Sequence, residues 1–426
     1  MTEKPRIVIV GGGFAGLNLV KRIDKEKYDV TLVDRNNFHS FPPLFYQIAS
    51  CGLDPGSISF PFRREMRKDS VKGSHYRFGE VRTIDVARKE IHTQFETLKY
   101  DKLIIAAGTT NNFFNSPDLV KYVYTIKTTA EAMRCRYEIL DRLERAALTK
   151  DRTLRRNLLS FVVVGGGPSG VEVAGALGEM KRYILPREYP DISPDDLSIV
   201  LLEGTDRLGA MSAVSSRKAL EYLGKLMVEV KLGRLMKSYE DDVITLDDGS
   251  RLTAGMLIWT AGITGVSFDI VGAEIALAPG RRFEVDEFNR VKGLDDIYAV
   301  GDIAYMKSDD YPRGYPQLAQ VAIQQARLLA SHLNKNRFEK PFVYDDKGSM
   351  ATVGRNLAVA DLKKGHLSGW IAWMAWMFIH LISILGMRNK LTVLINWIWS
   401  YCTYTTSLRI LLHTTRYPLR RRWGEK

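Results

Sequence analysis

Residues 6–23 read RIVIVGGGFAGLNLVKRI: a run of apolar residues, three glycines and then a stretch with helical periodicity. This order predicts a buried strand, a tight turn and a helix. Gly11, Gly13 and Gly16 have the GxGxxG spacing, in which the first glycine permits the turn, the second lets a diphosphate approach the backbone and the third lets the helix pack on the strand. The turn, which also includes Ala15, would therefore present its N–H groups to an anion.

The same pattern returns 154 residues later. Residues 158–180, LLSFVVVGGGPSGVEVAGALGEM, place Gly165, Gly167 and Gly170 after a second apolar run. A single GxGxxG is weak evidence, but two copies that each lie between a strand and a helix predict two dinucleotide folds rather than a short-period repeat. The alternative is a pair of glycine turns without a ligand.

An acidic residue ends the next strand in both copies. The segment YDVTLVD ends at Asp34, which Arg35 follows, and LSIVLLEG carries Glu203. A carboxylate at this position accepts hydrogen bonds from the ribose hydroxyls of adenosine. Glu203 would repel a 2′-phosphate, which favours NADH over NADPH, although Arg207 lies close in sequence and weakens that preference.

Further strands complete the predicted sheets. Two short buried strands, KLIIAAGTT and MLIWTAGI, leave through Ala107–Gly108 and Ala261–Gly262, and a late strand, in GLDDIYAVGDIA, ends at Gly301–Asp302. Strands that alternate with helices predict an α/β fold with parallel sheets. Since the Gly301–Asp302 strand returns late, we expect two Rossmann-like dinucleotide-binding domains, the second inserted in the first, followed by a C-terminal helical membrane-anchoring region.

These expectations set the predicted domain boundaries. The first domain comprises residues 1–112 and 290–345, the inserted domain residues 113–289, and the C-terminal region residues 346–426. A chain of 426 residues is long enough for two or three domains.

Charge and cysteine content narrow the possible partners. The net charge of +12 suits a nucleic acid, an anionic membrane or anionic cofactors. The basic residues are dispersed and no nucleic-acid motif accompanies them, so no nucleic acid is expected. Cys51, Cys135 and Cys402 are far apart and form no CxxC, which supports neither a disulfide framework, nor a metal site, nor a redox dithiol.

With these residues the chain resembles the flavoproteins that have two dinucleotide-binding domains, and more closely the type II, non-proton-pumping NADH:quinone oxidoreductases. Residues 39–59, HSFPPLFYQIASCGLDPGSIS, are similar to the flavin-flanking segment of that family, and residues 319–325, AQVAIQQ, to its quinone-site motif. Glu172 matches an acid two residues past the last glycine. The likeness spans roughly residues 5 to 410.

The resemblance implies a tightly bound FAD on the first domain and an exchanging NADH on the second, with the nicotinamide meeting the flavin between them. It implies that Asp302 of the Gly301–Asp302 pair binds the ribityl chain of FAD and that Gln320 and Gln324 donate to a quinone carbonyl. Further residues expected at the flavin are Pro43 and Tyr46, which would wall its ring, with Val81 and Ala319.

Alternatives stay open for the residues with catalytic roles. The spacing of Gln320 and Gln324 places them on one helix face, which is also typical of a solvated surface. Glu172, expected in the first helical turn, would stabilise the helix dipole by about 0.3–1 kcal/mol. The functional reading has Glu172 order the nicotinamide or relay a proton, and the two readings are compatible. Cys51 is interpreted as structural.

The C-terminal region is strongly apolar. Residues 367–387, LSGWIAWMAWMFIHLISILGM, contain no Asp, Glu, Lys or Arg, and their length makes them a transmembrane candidate. Trp370, Trp373 and Trp376 would lie at the membrane interface. The resemblance favours a monotopic anchor, while a dipping hairpin and a water-soluble helix pair are alternatives. Four arginines would meet anionic lipid headgroups: Arg416, Arg420, Arg421 and Arg422.

The leading hypothesis is a non-electrogenic NADH:quinone oxidoreductase on the cytoplasmic face of the inner (plasma) membrane, with no signal peptide. It would reduce menaquinone or ubiquinone and feed a respiratory chain, and a homodimer is plausible. Alternatives are an NADH reductase for a protein acceptor and a non-catalytic FAD-binding scaffold or NADH sensor. A sulfide:quinone oxidoreductase would need at least two cooperating cysteines near the flavin, which Cys51 alone does not provide.

Overall fold

The structure is a computed structural model that describes residues 3–114, 116–275, 277–363, 365–404 and 408–411. Its contacts divide the chain into two compact units. The first comprises residues 1–40, 59–112 and 263–347, and the second comprises residues 41–58, 113–262 and 348–426. The fold is mixed α/β, as the alternation of strands and helices in the sequence predicts.

The first unit is built on a five-stranded parallel sheet. Its strands, in spatial order, are Ile297–Ala299, Lys102–Ile105, Arg6–Val10, Asp29–Asp34 and Ser74–Phe78. The central strand is almost fully buried, which explains its continuous apolar sequence. Helices Phe14–Arg22 and Ala319–Lys335 pack against each other and share one apolar core with the sheet. The sequence predicted four of these strands, and all four are present: Arg6–Val10, Asp29–Asp34, Lys102–Ile105 and Ile297–Ala299.

Smaller elements complete the first unit. A second sheet consists of three antiparallel strands, Val81–Asp85, Glu90–Thr93 and Thr97–Lys99, with Asp269–Val271 paired in parallel to the first of them. Short strands and short helices make up the remainder. The strands are Phe38–Ser40, Ser59–Pro61, Val81–Asp85, Glu90–Thr93, Thr97–Lys99, Thr109–Asn111, Ile263–Gly265, Asp269–Val271, Leu277–Ala278, Arg282–Glu284 and Ala304–Tyr305; the short helices are Phe62–Glu65, Asp69–Val71 and Gly301–Ile303.

The second unit repeats the parallel arrangement. Its four-stranded sheet has the order Glu229–Leu232, Ser198–Glu203, Ser160–Val164 and Met256–Trp259. An antiparallel group consists of Met236–Glu240, Val243–Leu246 and Arg251–Thr253. The helices before the C-terminal region are Pro42–Leu44, Phe45–Ala49, Pro55–Ser57, Pro117–Lys121, Thr129–Leu148, Arg152–Leu158, Pro168–Glu179, Met180–Ile184, Leu185–Glu188, Pro194–Asp196 and Ala213–Lys225.

The C-terminal part of the second unit starts with an antiparallel sheet of strands Ser349–Gly354, Leu357–Leu362 and Gly365–Ser368. Two helices, Gly369–Ser383 and Met387–Thr403, follow. The apolar run 367–387 therefore does not form one helix, because the chain leaves the helical conformation at Ile384 and turns at Gly386, whose φ of 76° suits glycine. Within the described ranges, no helix combines the length and the apolar character that crossing a bilayer requires.

The compact units differ from the predicted domain boundaries in three respects, one of which is that residues 348–426, predicted as a separate C-terminal region, belong to the second unit. Residues 263–289 belong to the first unit, since Ile263–Gly265 pairs with Thr109–Asn111 and Asp269–Val271 pairs with Val81–Asp85. Residues 41–58 belong to the second unit, where helix Phe45–Ala49 packs on Thr129–Leu148. Strand pairing and helix packing between segments distant in sequence set these boundaries, and sequence periodicity does not reveal such contacts.

Candidate functional site

The first glycine turn has the shape that a bound diphosphate requires. Gly11 has φ of +100°, and a Cβ added there would lie 2.5 Å from the carbonyl oxygen of Ala106. A Cβ at Gly16 would lie 1.8 Å from the carbonyl oxygen of Gly11, so the helix approaches the turn as closely as backbone permits. A Cβ at Gly13 would meet no atom within 4 Å, which leaves the cradle open where a diphosphate would approach. These residues fit a dinucleotide such as FAD.

Asp34 ties the end of its strand to this turn. One carboxylate oxygen accepts the N–H of Gly12 at 2.6 Å, and the other accepts the N–H of Asn36 at 2.7 Å. Burial raises the pKa of Asp34, while these two backbone hydrogen bonds oppose the rise. Arg35 forms a half-exposed ion pair with Glu80, with Nη1 lying 3.7 Å from Oε1. Val81, the residue after Glu80, is buried.

His39 also contacts this turn, and sequence reasoning missed it. Its Nδ1 lies 2.8 Å from the carbonyl oxygen of Gly12, and burial lowers the pKa of His39 to about 4. Because a carbonyl only accepts hydrogen bonds, the neutral ring carries its proton on Nδ1 and donates to Gly12. The signal was available in the sequence, since His39 opens the flavin-flanking segment.

The Gly301–Asp302 turn lies at the same carboxyl edge of the sheet, where Ala107 and Gly108 also follow a strand. Gly301 has φ of +75°, and its N–H donates to Oε1 of the buried Gln325 at 2.7 Å. Gln317 Nε2 donates to the carbonyl oxygen of Asp302 at 2.9 Å. These two glutamines, which the sequence analysis did not single out, hold the backbone of the turn that presents Asp302.

Gln320 and Gln324 lie on one face of helix Ala319–Lys335, as their spacing predicts. Both side chains contact the segment after the helix. The amide of Gln324 donates to the carbonyl oxygen of Asp345 at 2.9 Å and accepts its N–H at 3.0 Å, and Oε1 of Gln320 accepts the N–H of Lys347 at 3.1 Å. These hydrogen bonds hold residues 345–347, at the end of the first unit, against the helix. Contact of Gln320 and Gln324 with a quinone stays a prediction.

The second glycine turn repeats the first. Gly165 has φ of +105°, and a Cβ there would lie 2.7 Å from the backbone N of Ala261. A Cβ at Gly170 would lie 1.8 Å from the carbonyl oxygen of Gly165, and one at Gly167 would meet nothing within 4 Å. Gly262 follows with φ of +82°. The second cradle is therefore open at the same position as the first.

Glu203 occupies the position in this unit that Asp34 occupies in the first, and its carboxylate also accepts a backbone N–H from the glycine turn. Its Oε2 accepts the N–H of Gly166 at 2.7 Å, and its Oε1 accepts the N–H and the hydroxyl of Thr205 at 2.9 and 2.8 Å. Arg207 is exposed and forms no ion pair within the described residues, so it does not occupy the Glu203 side chain. This arrangement favours a 2′-hydroxyl over a 2′-phosphate.

A cavity of about 150 Å³ lies within the second unit and contains Glu172. Its walls include residues of five elements: helix Phe45–Ala49, helix Pro168–Glu179, strand Ser349–Gly354 and the two C-terminal helices. Glu172 is 8% exposed, and burial raises its pKa to about 8, against opposing contacts from the Thr352 backbone and the Trp376 indole. The side chain is consequently a neutral acid at neutral pH, able to donate a proton.

The expectation that Glu172 lies in the first helical turn is wrong. Helix Pro168–Glu179 begins at Pro168, its first turn contains no acid, and Glu172 begins the second turn. The side chain faces the cavity, so stabilisation of the helix dipole does not account for an acid here.

Tyr46 lines the same cavity and is held by a chain of hydrogen bonds. Trp397 Nε1 donates to Oε1 of Gln47 at 2.9 Å, and Nε2 of Gln47 donates to the hydroxyl of Tyr46 at 2.8 Å. Burial raises the pKa of Tyr46 well above its ordinary value. The neutral hydroxyl keeps its own proton for donation. Pro43 lies half-buried in the preceding turn, Pro42–Leu44.

Two further expectations concern side chains near this cavity. Trp376 was expected at a membrane interface and is instead 1% exposed, with its ring 6.2 Å from that of Tyr46. That expectation is wrong, because Trp376 shares the inward line of its helix with Ala372. Cys51 lines the cavity as a buried cysteine outside any disulfide, and burial raises the pKa of its thiol to about 11, which agrees with a structural role.

Comparison with known proteins identifies the family. Residues 5–326 match the family model for pyridine nucleotide-disulphide oxidoreductases, and residues 347–403 match that for the NDH2 C-terminal domain. A type II NADH:quinone oxidoreductase of Mycobacterium tuberculosis is 34% identical, across 93% of this chain and 88% of the relative. The chain belongs to the type II NADH:quinone oxidoreductases. The family resemblance predicted from the sequence is confirmed.

Other type II oxidoreductases and solved structures agree. An internal alternative NAD(P)H-ubiquinone oxidoreductase of Solanum tuberosum is 32% identical, across 93% of this chain and 86% of the relative. NDH2 from Plasmodium falciparum, solved in complex with NADH, has a TM-score of 0.87 at 24% identity, with 96% of this chain and 100% of that chain covered. A sulfide:quinone oxidoreductase from Aquifex aeolicus has a TM-score of 0.71 at 15% identity, with 91% and 92% covered. These two structures share the fold.

Proposed function

We propose that this protein oxidises NADH and reduces a membrane quinone by two electrons without pumping protons, through a tightly bound FAD. The observation that carries this proposal is the likeness to two type II NADH:quinone oxidoreductases along 92–93% of the chain. The two glycine cradles and their acids supply sites for two dinucleotides, as that reaction needs. FAD, when bound, supplies the redox chemistry by accepting a hydride and returning two electrons.

We assign FAD to the cradle of the first unit and NADH to that of the second. Gly13 and Gly301–Asp302 would hold the diphosphate and the ribityl chain, while Asp34 and Glu203 would each accept from an adenosine ribose. Each acid is already fixed by a backbone N–H from its own turn, so it is oriented before a nucleotide arrives.

We place the quinone-protonating group at Glu172. The buried acid is neutral at neutral pH, and a quinone needs two protons for its two electrons. Tyr46 can hold a carbonyl oxygen as a neutral donor without adding a charge to an apolar pocket. Gln320 and Gln324 are retained as candidate quinone contacts from the family motif.

We further propose that the two C-terminal helices dock on a lipid surface without crossing it, on the cytoplasmic side of a cell membrane. Each helix buries one line of side chains, Ala372 and Trp376 in the first and Val393 and Trp397 in the second. The remaining faces expose large apolar side chains by 42–71%: Trp370, Ile371, Met374, Phe378, Ile379, Ile382, Met387, Leu391, Ile395, Ile398 and Trp399. Such a surface suits a monotopic helix pair.

Basic side chains accompany this surface. Arg388 and Lys390 lie in the first turn of the second helix. Each would strengthen binding to an anionic lipid surface by about 1 kcal/mol. Arg416, Arg420, Arg421 and Arg422, which the sequence analysis assigned to the same role, lie outside the described residues.

The doubly substituted variant Phe378→Glu with Ile395→Glu should lose binding to anionic lipid vesicles. Both side chains are 63% exposed, and each would otherwise gain about 1.5–3 kcal/mol on burial in lipid. Flotation with vesicles measures binding, and turnover with a short-chain, water-soluble quinone should stay within about two-fold. Leu148→Glu is the control, since Leu148 is 83% exposed on another helix and should leave vesicle binding unchanged. Undiminished binding of the double variant would refute this docking surface.

The function is tested by steady-state turnover of the purified, yellow protein. NADH should be consumed when a short-chain quinone is present, and ferredoxin should not replace the quinone. A protein acceptor that works as well as the quinone would favour an NADH reductase for proteins. A yellow colour that NADH does not bleach would leave a non-catalytic scaffold.

A further inference from the structure

The cavity that contains Glu172 is also lined by a second acid, Glu179, which is partly exposed. The two lie seven residues apart on helix Pro168–Glu179, which places both on one face about 10 Å apart along the axis. Nothing in the function proposed above uses Glu179.

Glu179 is held in place without an opposite charge at hydrogen-bond distance. Its Oε1 accepts the backbone N–H of Arg355 at 2.6 Å, and a Cβ at Gly354 would come within 3.2 Å of that oxygen. The guanidinium of Arg355 turns elsewhere, donating to the carbonyl oxygens of Ser400 and Tyr401 at 2.6 and 2.8 Å. Within the described part of the chain, Glu179 forms no ion pair.

Titratable groups face Glu179 from each element around it. These are Glu172 on its own helix, Tyr46, Cys51, Arg355, Tyr401, Tyr404 and Arg409. Arg409 pairs with Glu188, and its Nε donates to that carboxylate at 2.6 Å. Burial raises the pKa of Glu179, and the Arg355 backbone N–H and charge oppose the rise. Among the described residues, the Arg355 guanidinium therefore favours the charged form of Glu179 only through its charge, without a hydrogen bond to the carboxylate.

The cavity itself is suited to water. Its volume of about 150 Å³ has room for several water molecules. Three residues with hydroxyl side chains are among those that line it: Ser50, Thr352 and Ser400. The indole N–H of Trp376 is buried in the wall, and its contact with Glu172 falls outside hydrogen-bond geometry, so it has no hydrogen-bond partner among the described residues.

We infer that Glu179 is a proton-holding residue that resupplies Glu172 during quinone reduction, through water in their shared cavity. This inference rests on the proposed function. Glu172 gives its proton to a quinone oxygen and becomes a carboxylate. Glu179 passes its proton along the water to that carboxylate and takes another from bulk solvent. A second round supplies the second proton, so the two protons taken up balance the two electrons that the quinone receives. Glu179 is thus a relay residue and does not touch the quinone.

Glu179→Gln tests this inference, because the amide keeps the shape and the hydrogen bond from Arg355 but cannot release a proton. Turnover with quinone should fall about ten-fold, with a larger solvent deuterium isotope effect and a decline that begins at lower pH. Turnover with ferricyanide, which accepts electrons without protons, should stay within two-fold. Glu179→Asp should restore part of the quinone rate and its pH profile.

The control is Glu144→Gln, which makes the same chemical change at an acid outside the cavity and should change neither rate. Equal losses with quinone and ferricyanide would show a purely structural role and overturn the inference. An unchanged pH profile and isotope effect in Glu179→Gln would also overturn it. A wild-type protein that reduces ferricyanide but no quinone would instead contradict the proposed function.

Discussion

Gly13→Val is expected to give a folded, colourless protein that does not oxidise NADH. The backbone at Gly13 is extended, with φ of −69° and ψ of −158°, so a β-branched residue can adopt it. A Cβ there meets no protein atom within 4 Å, and the added methyl groups would occupy the space of the diphosphate. We expect flavin content and NADH oxidation to fall at least 100-fold, measured by visible absorption and turnover.

The matched variant Gly167→Val should behave differently. Its backbone is also extended, with φ of −69° and ψ of 178°, and a Cβ there is equally free of neighbours. We expect this variant to keep its flavin and to raise the KM for NADH at least 100-fold. A colourless Gly167→Val together with a yellow Gly13→Val would reverse our assignment of the two nucleotides.

A third variant separates ligand exclusion from misfolding. Gly16→Ala places a Cβ 1.8 Å from the carbonyl oxygen of Gly11, and the helix must shift to accept it. We expect this protein to lose stability, seen as a lower Tm, whereas the Tm of Gly13→Val should match that of the flavin-free wild type.

Glu172→Gln is expected to lower quinone turnover about 100-fold while flavin binding and ferricyanide turnover persist. A positioned general acid contributes about 10²–10⁴-fold, and the amide cannot release a proton. Since the pKa of Glu172 is about 8, the wild-type acid is protonated below that pH and loses its proton above it. Wild-type quinone turnover should therefore decline above about pH 8, and this decline should be absent in the variant.

The raised pKa of Glu172 also implies that the free energy of unfolding depends on pH. Its pKa rises from 4.5 to about 8 on folding, so the folded state binds more protons between these values. Stability should consequently fall as pH rises through that window, by an amount on the order of 5 kcal/mol. Glu172→Gln should flatten the dependence. If quinone turnover and both pH profiles match those of wild type, Glu172 has no part in proton transfer.

The sequence predicts the nucleotide cradles well, because steric requirements there are local. Only glycine fits where helix and strand backbones approach within contact at Gly16 and Gly170, and the acid that follows lies at a fixed strand end. The strands around them are buried on both faces, so their apolar runs were clear.

The cavity could not be predicted in the same way. Tyr46, Glu172, Thr352 and Trp376 lie far apart in sequence and meet only through tertiary packing. Sequence periodicity likewise could not show that Gln324 binds the backbone of Asp345. The break between the two C-terminal helices could have been predicted, because Gly386 and the polar residues after it are turn signals. The prediction of one long apolar segment gave more weight to its length than to these signals.

The central claim is that NADH and a lipid-borne quinone exchange electrons through one flavin held by this chain. An anaerobic titration followed by visible absorption tests it most directly. The account predicts that one equivalent of NADH bleaches the flavin colour and that one equivalent of menaquinone or ubiquinone in lipid vesicles restores it. A purified protein without flavin, or a bleached protein that no lipid-soluble quinone recolours, would contradict it.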